Sequence, residues 1–185
     1  NEEEAHLGYL GAKLDQDLEE GTMVDIGGGS TELTSIKGGF DLAKTSIPQG
    51  SLSSFANHVA GLMPTQKEVN AITQAFRELA KKEETDVYRC AQLYGIGGSI
   101  RSAAKLYGDL CNNGSRFNYL LPEHIDAILN RYAEDTNAFA HEALRTLPDR
   151  IHTLIPGCVI IREAFKLCDG ERLDICKYGV REGYL

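Results

Sequence analysis

The stretch MVDIGGGSTEL at residues 23–33 decides the fold, because it places three consecutive glycines between two apolar segments. Residues 23–26 have the apolar, β-branched character of a buried strand, and residues 33–36 resume a strand-like pattern. The stretch is therefore predicted to form two strands joined by a tight loop. Since glycine has no Cβ, such a loop can take positive φ and bring its N–H groups close to an anion.

Two acids flank this loop, Asp25 at the carboxyl end of the first strand and Glu32 after the turn. Carboxylate oxygens are the ligands that Mg²⁺ prefers where it bridges phosphates, and without a cation the two acids would repel a phosphate. The pattern predicts a phosphate-and-metal turn, with a hairpin turn and solvated acids as the alternative. The residues predicted to bind phosphate in this turn are Gly27, Gly28, Gly29 and Ser30.

Two common nucleotide-binding motifs are excluded by the sequence itself. A dinucleotide fingerprint needs glycine at the sixth position of G-x-G-x-x-G, but counting from Gly27 places Glu32 there, and counting from Gly95 places Ile100. A P-loop needs a lysine after its glycines, and neither glycine cluster is followed by one.

The composition of the chain bounds its class. With 185 residues it is long enough for one domain with a full core. A net charge of −8 argues against a non-specific nucleic-acid binder. The five cysteines form no zinc-type spacing, and no apolar run approaches the roughly 18 residues that a membrane span needs. We expect a soluble cytoplasmic protein that binds neither nucleic acid nor membranes.

The pattern of apolar residues predicts a mixed α/β layer fold with a central sheet. A meander of three strands is expected first, and a capping box, Thr65-x-x-Glu68, predicts the start of a long helix. The predicted strands are 22–26, 32–37, 41–47, 90–96 and 173–176. The predicted helices are 1–14, 50–61, 65–83, one beginning at about residue 99, 122–132, 137–146, one opened by Pro156-Gly157, and a turn or helix from 179.

A second glycine turn precedes a predicted helix. Gly97, Gly98 and Ser99 stand where the apolar pattern of that helix begins. A helix N-terminus offers free N–H groups and a partial positive charge to an anion. This turn is a second candidate phosphate site, with an ordinary loop and N-cap as the alternative.

Six short motifs, spread over nearly the whole chain, match one known family. They are EEAxL at 3–7, DIGGGSTEL at 25–33, GGS at 97–99, LPxR at 147–150, PG at 156–157 and GVREG at 179–183. Together they resemble the exopolyphosphatase / guanosine pentaphosphate phosphohydrolase family.

The resemblance implies an actin-like (ribonuclease H-like) domain, in which a mixed sheet with a three-stranded antiparallel meander is flanked by helices. In that superfamily two similar domains face each other across a cleft. Residues 1–185 are similar to the second domain, and we expect a first domain to precede Asn1.

The resemblance also assigns roles to residues. Glu4 matches the catalytic base that deprotonates the attacking water, although an acid near a helix start is also a favourable dipole partner. Asp25 and Glu32 match the positions that bind Mg²⁺, and both glycine turns match phosphate loops. Arg150 and Arg181 are predicted to form ion pairs rather than to contact substrate.

The activity that the resemblance implies is hydrolysis of phosphoanhydride bonds. The expected substrate is inorganic polyphosphate, guanosine pentaphosphate or both, with the terminal phosphate released by metal-assisted attack of water. A catalytically silent nucleotide- or polyphosphate-binding module is the alternative, and an actin-like kinase ranks below both. The resemblance also admits a homodimer. Because the cleft needs its opposite wall, we expect these 185 residues alone to be nearly inactive.

Overall fold

The computed structural model describes residues 2–185. It contains six strands and eight α-helices within that range. The strands are β1 (Glu20–Ile26), β2 (Thr31–Lys37), β3 (Phe40–Ile47), β4 (Gln92–Ile96), β5 (Tyr119–Leu120) and β6 (Arg172–Ile175). The helices are α1 (Glu2–Ala12), α2 (Ser51–His58), α3 (Gln66–Ala80), α4 (Gly98–Cys111), α5 (Pro122–Glu134), α6 (Thr136–Thr146), α7 (Ile151–Cys168) and α8 (Val180–Gly183).

The six strands form one mixed sheet in the order β3-β2-β1-β4-β6-β5. Strands β1, β2 and β3 form the antiparallel meander, which confirms that part of the prediction. Strands β4 and β6 run parallel to β1, and β5 pairs antiparallel with β6 at the edge. Because β1 and β4 are parallel neighbours with Asp25 opposite Ile96, their carboxyl ends meet at one edge of the sheet. Both glycine turns begin at that edge.

Hydrophobic side chains cover both faces of the sheet. Val24 and Ile26 belong to a large core formed with α3, α4, α5 and α7, whereas Met23 belongs to a smaller core formed with α1. Successive side chains of a strand point to opposite faces, so Asp25 shares the face of Met23 and α1. This alternation places the carboxylate of Asp25 on the side of the sheet from which Glu4 approaches.

The long helix α3 begins as its sequence predicts. Thr65 Oγ1 accepts a hydrogen bond from the N–H of Glu68, and the N–H of Thr65 donates to Glu68 Oε2 at 2.7 Å. These two bonds form the capping box, which satisfies N–H groups that the first turn of a helix leaves without partners.

The apolar helix α7 begins earlier than predicted. It starts at Ile151, so Pro156 lies inside the helix rather than at its start. A proline in this place costs one helical hydrogen bond, but Ile151, Leu154 and Ile155 are buried and hold the preceding turn against the core. Strand β5 was not predicted, because two residues carry no readable alternation.

Within residues 2–185 no helix combines the length and the apolar character that a membrane span would need.

Candidate functional site

The two glycine turns lie side by side and line one cleft of about 540 Å³. Glu4 approaches it from α1, and Asp25 stands at the end of β1. The opposite rim is formed by residues 149–153, where α7 begins. The predicted site residues that line the cleft are Glu4, Asp25, Gly27, Gly28, Gly97, Gly98 and Ser99.

Three of the predicted site residues do not line the cleft. Gly29 is exposed at the tip of the first turn, and Ser30 lies behind it, half-buried. Glu32 is only 4% exposed. Its Oε1 accepts hydrogen bonds from the hydroxyls of Ser30 at 2.5 Å and Ser46 at 2.9 Å. Glu32 therefore stands behind Asp25, its cross-strand partner, rather than beside the open cleft.

The first glycine turn is held by helix α2. The N–H of Gly27 donates to the carbonyl of Ser30 at 3.0 Å, which closes the hairpin. The carbonyl of Gly27 accepts from the N–H of Ser51 at 3.0 Å, and the carbonyl of Gly28 accepts from the N–H of Leu52 at 2.9 Å. The turn thus satisfies the N–H groups that the start of α2 would otherwise leave unpaired.

The glycines of this turn have a different role from the one expected. None of Gly27, Gly28 and Gly29 has a positive φ. Backbone conformation therefore does not explain why glycine stands at these three positions. No acceptor is present among residues 2–185 for the N–H groups of Gly28 and Gly29. Because their carbonyls already bind α2, these N–H groups are the part of the turn that is left for an anion.

Close approach explains one further glycine. A Cβ added at Gly50, immediately before α2, would lie 2.5 Å from the carbonyl oxygen of Gly27. Only glycine at position 50 lets α2 approach closely enough for the carbonyl groups of the first glycine turn to cap its N-terminus.

The second glycine turn has the geometry that its sequence suggested. Gly97 has φ of 99°, which side chains disfavour, and a Cβ added there would lie 2.9 Å from Asp25 Oδ1. Helix α4 begins at the next residue without a side-chain cap. Its first N–H groups are therefore available to a negatively charged group in the cleft.

Three carboxylates concentrate negative charge at the end of β1. Burial, together with the charges of Glu32 and Glu4, raises the pKa of Asp25 to about 6, while the charge of Arg101 opposes this rise. A bound divalent cation would reverse this effect. Among residues 2–185 no three His, Cys, Asp or Glu side chains are grouped in a metal-binding cluster. The residues fit Mg²⁺, which takes one or two carboxylates and completes its shell with water and phosphate oxygens.

The structure corrects the expectation for two arginines. Neither Arg150 nor Arg181 forms an ion pair within the part of the chain that the structure describes. The guanidinium of Arg150 instead lies over Gly98, where an added Cβ would be 2.5 Å from Nη2. Arg150 thus brings an uncompensated positive charge to the start of α4, inside the cleft.

Sequence reasoning also missed Asp149, His152 and Thr153, which line the same rim. The ring of His152 packs edge-on against Phe55 at 5.1 Å. Their one signal in the sequence was the LPxR motif at 147–150, which contains Asp149 and shortly precedes His152 and Thr153.

Comparison with known proteins gives a consistent result. The model of the Ppx/GppA phosphatase family matches residues 1–185. No curated protein matches the chain. The fold is similar to that of the PPX-GPPA enzyme of Aquifex aeolicus, with a TM-score of 0.79 and 23% identity over 99% of this chain and 62% of that one. It is also similar to an exopolyphosphatase from Cytophaga hutchinsonii, with a TM-score of 0.80 and 18% identity over 98% and 61% of the two chains.

These two neighbours share the actin-like architecture, and the chain spans 62% and 61% of their lengths. Because the family model matches the chain over its whole length, this protein belongs to the Ppx/GppA phosphatase family.

Proposed function

We propose that this chain forms the phosphate-binding half of a hydrolase that cleaves phosphoanhydride bonds. The substrate is inorganic polyphosphate or guanosine pentaphosphate, and the product is the terminal phosphate. One observation carries the proposal: two backbone turns with unpaired N–H groups meet in a cleft that also contains Glu4 and Arg150. Membership in the family supports it.

Backbone donors and Arg150 supply the positive end of the site. The N–H group of Gly28, the start of α4 and the guanidinium of Arg150 bind the oxygens of the terminal phosphate. Such fixed donors stabilise the charge that develops on phosphate oxygens as the bond breaks. Asp25, supported by Glu32, would hold Mg²⁺, which when bound neutralises phosphate charge.

Glu4 is the acceptor for the proton of the attacking water. Water adds to the terminal phosphorus as the bond from phosphorus to the bridging oxygen breaks, and the remaining chain leaves with that oxygen and its electron pair. The proton of the water passes to the carboxylate of Glu4. Glu4 is exposed on α1 and lines the cleft, so water and substrate can both reach it.

Glu4→Gln tests this role, because it keeps the shape of the side chain and removes its basicity. In the full-length protein we expect phosphate release to fall by about 100-fold or more, the scale that a positioned base contributes, while binding of polyphosphate is retained. Glu3→Gln is the matched control, since Glu3 is an exposed acid on the same helix. Unchanged release in Glu4→Gln would remove Glu4 as the base. Metal-dependent binding without any release by the wild type would instead indicate a regulatory binding module.

A further inference from the structure

Helix α1, which carries Glu4, is tied to strand β3 by a hydrogen bond between two side chains. His6 Nδ1 lies 2.6 Å from Asp41 Oδ2, and Lys44 Nζ lies 2.8 Å from the same oxygen. Partial burial opposes ionisation of Asp41, but the hydrogen bonds from Lys44 and His6 outweigh it and hold the pKa of Asp41 below its ordinary value. Because a carboxylate only accepts, the proton of the bond belongs to Nδ1 of His6. His6 therefore donates to Asp41 whether its ring is neutral or charged.

Two further side chains of α1 bind the turn between β2 and β3. The hydroxyl of Tyr9 donates to the carbonyl of Gly39, and Lys13 Nζ donates to the same carbonyl at 3.1 Å. Positions 6, 9 and 13 recur at the spacing that places side chains on one face of a helix. One face of α1 is thus fastened to the outer hairpin of the sheet.

The other side of α1 is held by close backbone contact with α8. A Cβ added at Gly11 would collide with the carbonyl of Gly179, and a Cβ added at Gly183 would collide with the carbonyl of Leu7. Such contact leaves α1 little freedom to shift toward α8. The position of α1 is therefore set from two sides, by α8 and by the β2–β3 hairpin.

Glu4 lies in the first turn of α1, and the ends of a helix fray more readily than its middle. The donor His6 is two residues from Glu4, so its bond to Asp41 restrains this first turn. Neither His6 nor Asp41 lines the cleft. Asp41 pairs with Ile36, four residues along β2 from Glu32, which places it about 13 Å along the strand from the edge where the cleft lies.

We propose that His6 and Asp41 are positioning residues, which hold the first turn of α1 so that the carboxylate of Glu4 meets the attacking water. The proposal rests on the function proposed for Glu4 and assigns the contact that sets its place. A base must lie within hydrogen-bond reach of the proton that it accepts, and a displacement of about 1 Å can cost about 100-fold in rate. The pair acts on kcat rather than on substrate binding, because the glycine turns and Arg150 hold the phosphate.

His6→Phe in the full-length protein tests this role, because it keeps a ring beside Tyr9 and removes the donor to Asp41. The two rings now stack with their centres 6.4 Å apart. We expect kcat for phosphate release from polyphosphate to fall about tenfold or more, while KM changes less than about twofold. His6→Asn should restore most of the wild-type rate, since its side-chain N–H offers a donor at a similar distance from the backbone.

Loss of the acceptor should have the same effect as loss of the donor. Asp41→Ala should lower kcat as much as His6→Phe does, and the double variant should be no slower than either, because one bond is lost in all three. The matched control is His141→Phe, the same substitution at an exposed position on α6, which should leave kcat unchanged. Thermal unfolding of each variant verifies that it is folded at the assay temperature.

The Glu4→Gln background separates positioning of Glu4 from a general effect on the fold. There, adding His6→Phe should change kcat by less than about twofold, since no base is left to position. An equal loss in both backgrounds would overturn the proposal, as would wild-type kcat in His6→Phe or an equal loss in His6→Asn. Slow release in Glu4→Gln with full release in His6→Phe would overturn the positioning role alone. Unchanged release in Glu4→Gln would instead count against the function proposed for Glu4, and the positioning role would fall with it.

Discussion

At the scale of single residues, Asp25 lines the cleft but lowers the stability of the metal-free fold. Burial and two neighbouring carboxylates raise its pKa from 3.8 to about 6. Between pH 3.8 and about 6, the carboxyl group of Asp25 is therefore mainly protonated in the folded state and mainly ionised in the unfolded chain. Stability that depends on this proton is present at low pH and is lost as the pH rises through the folded pKa. At neutral pH, the ionised Asp25 weakens the metal-free fold.

Replacing Asp25 with Asn should therefore stabilise the metal-free protein at neutral pH. The gain in unfolding free energy is of the order of 3 kcal/mol at most, because the pKa shift is about two units and each unit corresponds to 1.36 kcal/mol. The gain should disappear near pH 4. Thermal unfolding across this pH range measures it. Asp126→Asn, at an exposed position on α5, is the control, because it makes the same substitution outside the cleft. An equal or lower melting temperature for Asp25→Asn at neutral pH would contradict this account.

The residue scale also shows the limits of reading a site from sequence. The types of residue at Asp25 and Gly97 were informative because their chemistry is local: an acid at the end of a strand and a glycine immediately before a helix. The burial of Glu32 involves Ser46 from the next strand, and Arg150 lies over Gly98, which is far from it in the sequence. Contacts between segments distant in sequence leave no local pattern to read.

At the scale of elements, most helices and strands can be predicted from the periodicity of apolar residues and from the turn and cap residues at their ends. The meander and α3 were predictable because alternation and a capping box mark them clearly. The start of α7 was not, since Pro156 normally marks the beginning of a helix and here lies inside one. Here burial outweighs the preference of proline for the first turn of a helix. Ile151 and Ile155 gain more free energy by entering the core than the helix loses with one hydrogen bond.

Helix α2 and the first glycine turn should act as one unit. In Gly50→Ala the new methyl group would collide with the backbone of Gly27 and Gly28, so we expect a loss of about 1–3 kcal/mol in unfolding free energy. Binding of tripolyphosphate should weaken in parallel, because the turn is displaced. Calorimetry measures both quantities. In Gly61→Ala, an exposed position where the nearest atom would be 3.7 Å away, neither should change by much. Full stability with full affinity in Gly50→Ala would separate α2 from the site.

At the scale of the whole molecule, the cleft of this chain is open on one side. The neighbours of similar fold are longer, since 62% and 61% of their lengths match this chain. The function proposed above requires a substrate that is held from both sides, because positioning of the reactants lowers the barrier by many kcal/mol.

We predict that the 185-residue chain binds tripolyphosphate but releases phosphate at least about 100-fold more slowly than the same chain joined to the first domain that is expected to precede Asn1, since positioning of both reactants is lost. A phosphate-release assay on the two proteins, at equal concentration and with Mg²⁺ present, measures the ratio. Chain and full-length protein should show comparable far-UV circular dichroism per helix, which separates lost positioning from lost folding. Comparable turnover numbers would show that one wall is sufficient.

The pairing of β1 with β4 fixes the distance between the two glycine turns. Neighbouring strands lie about 4.8 Å apart, and the two glycine turns leave the sheet from Asp25 and Ile96, which are paired in register. The separation of the turns is thus inherited from the hydrogen-bond ladder rather than from any side chain. Mutation can hardly adjust that spacing without breaking the sheet. Substitutions at the rim around Arg150 can alter the shape and charge of the cleft while the distance between the two turns stays constant.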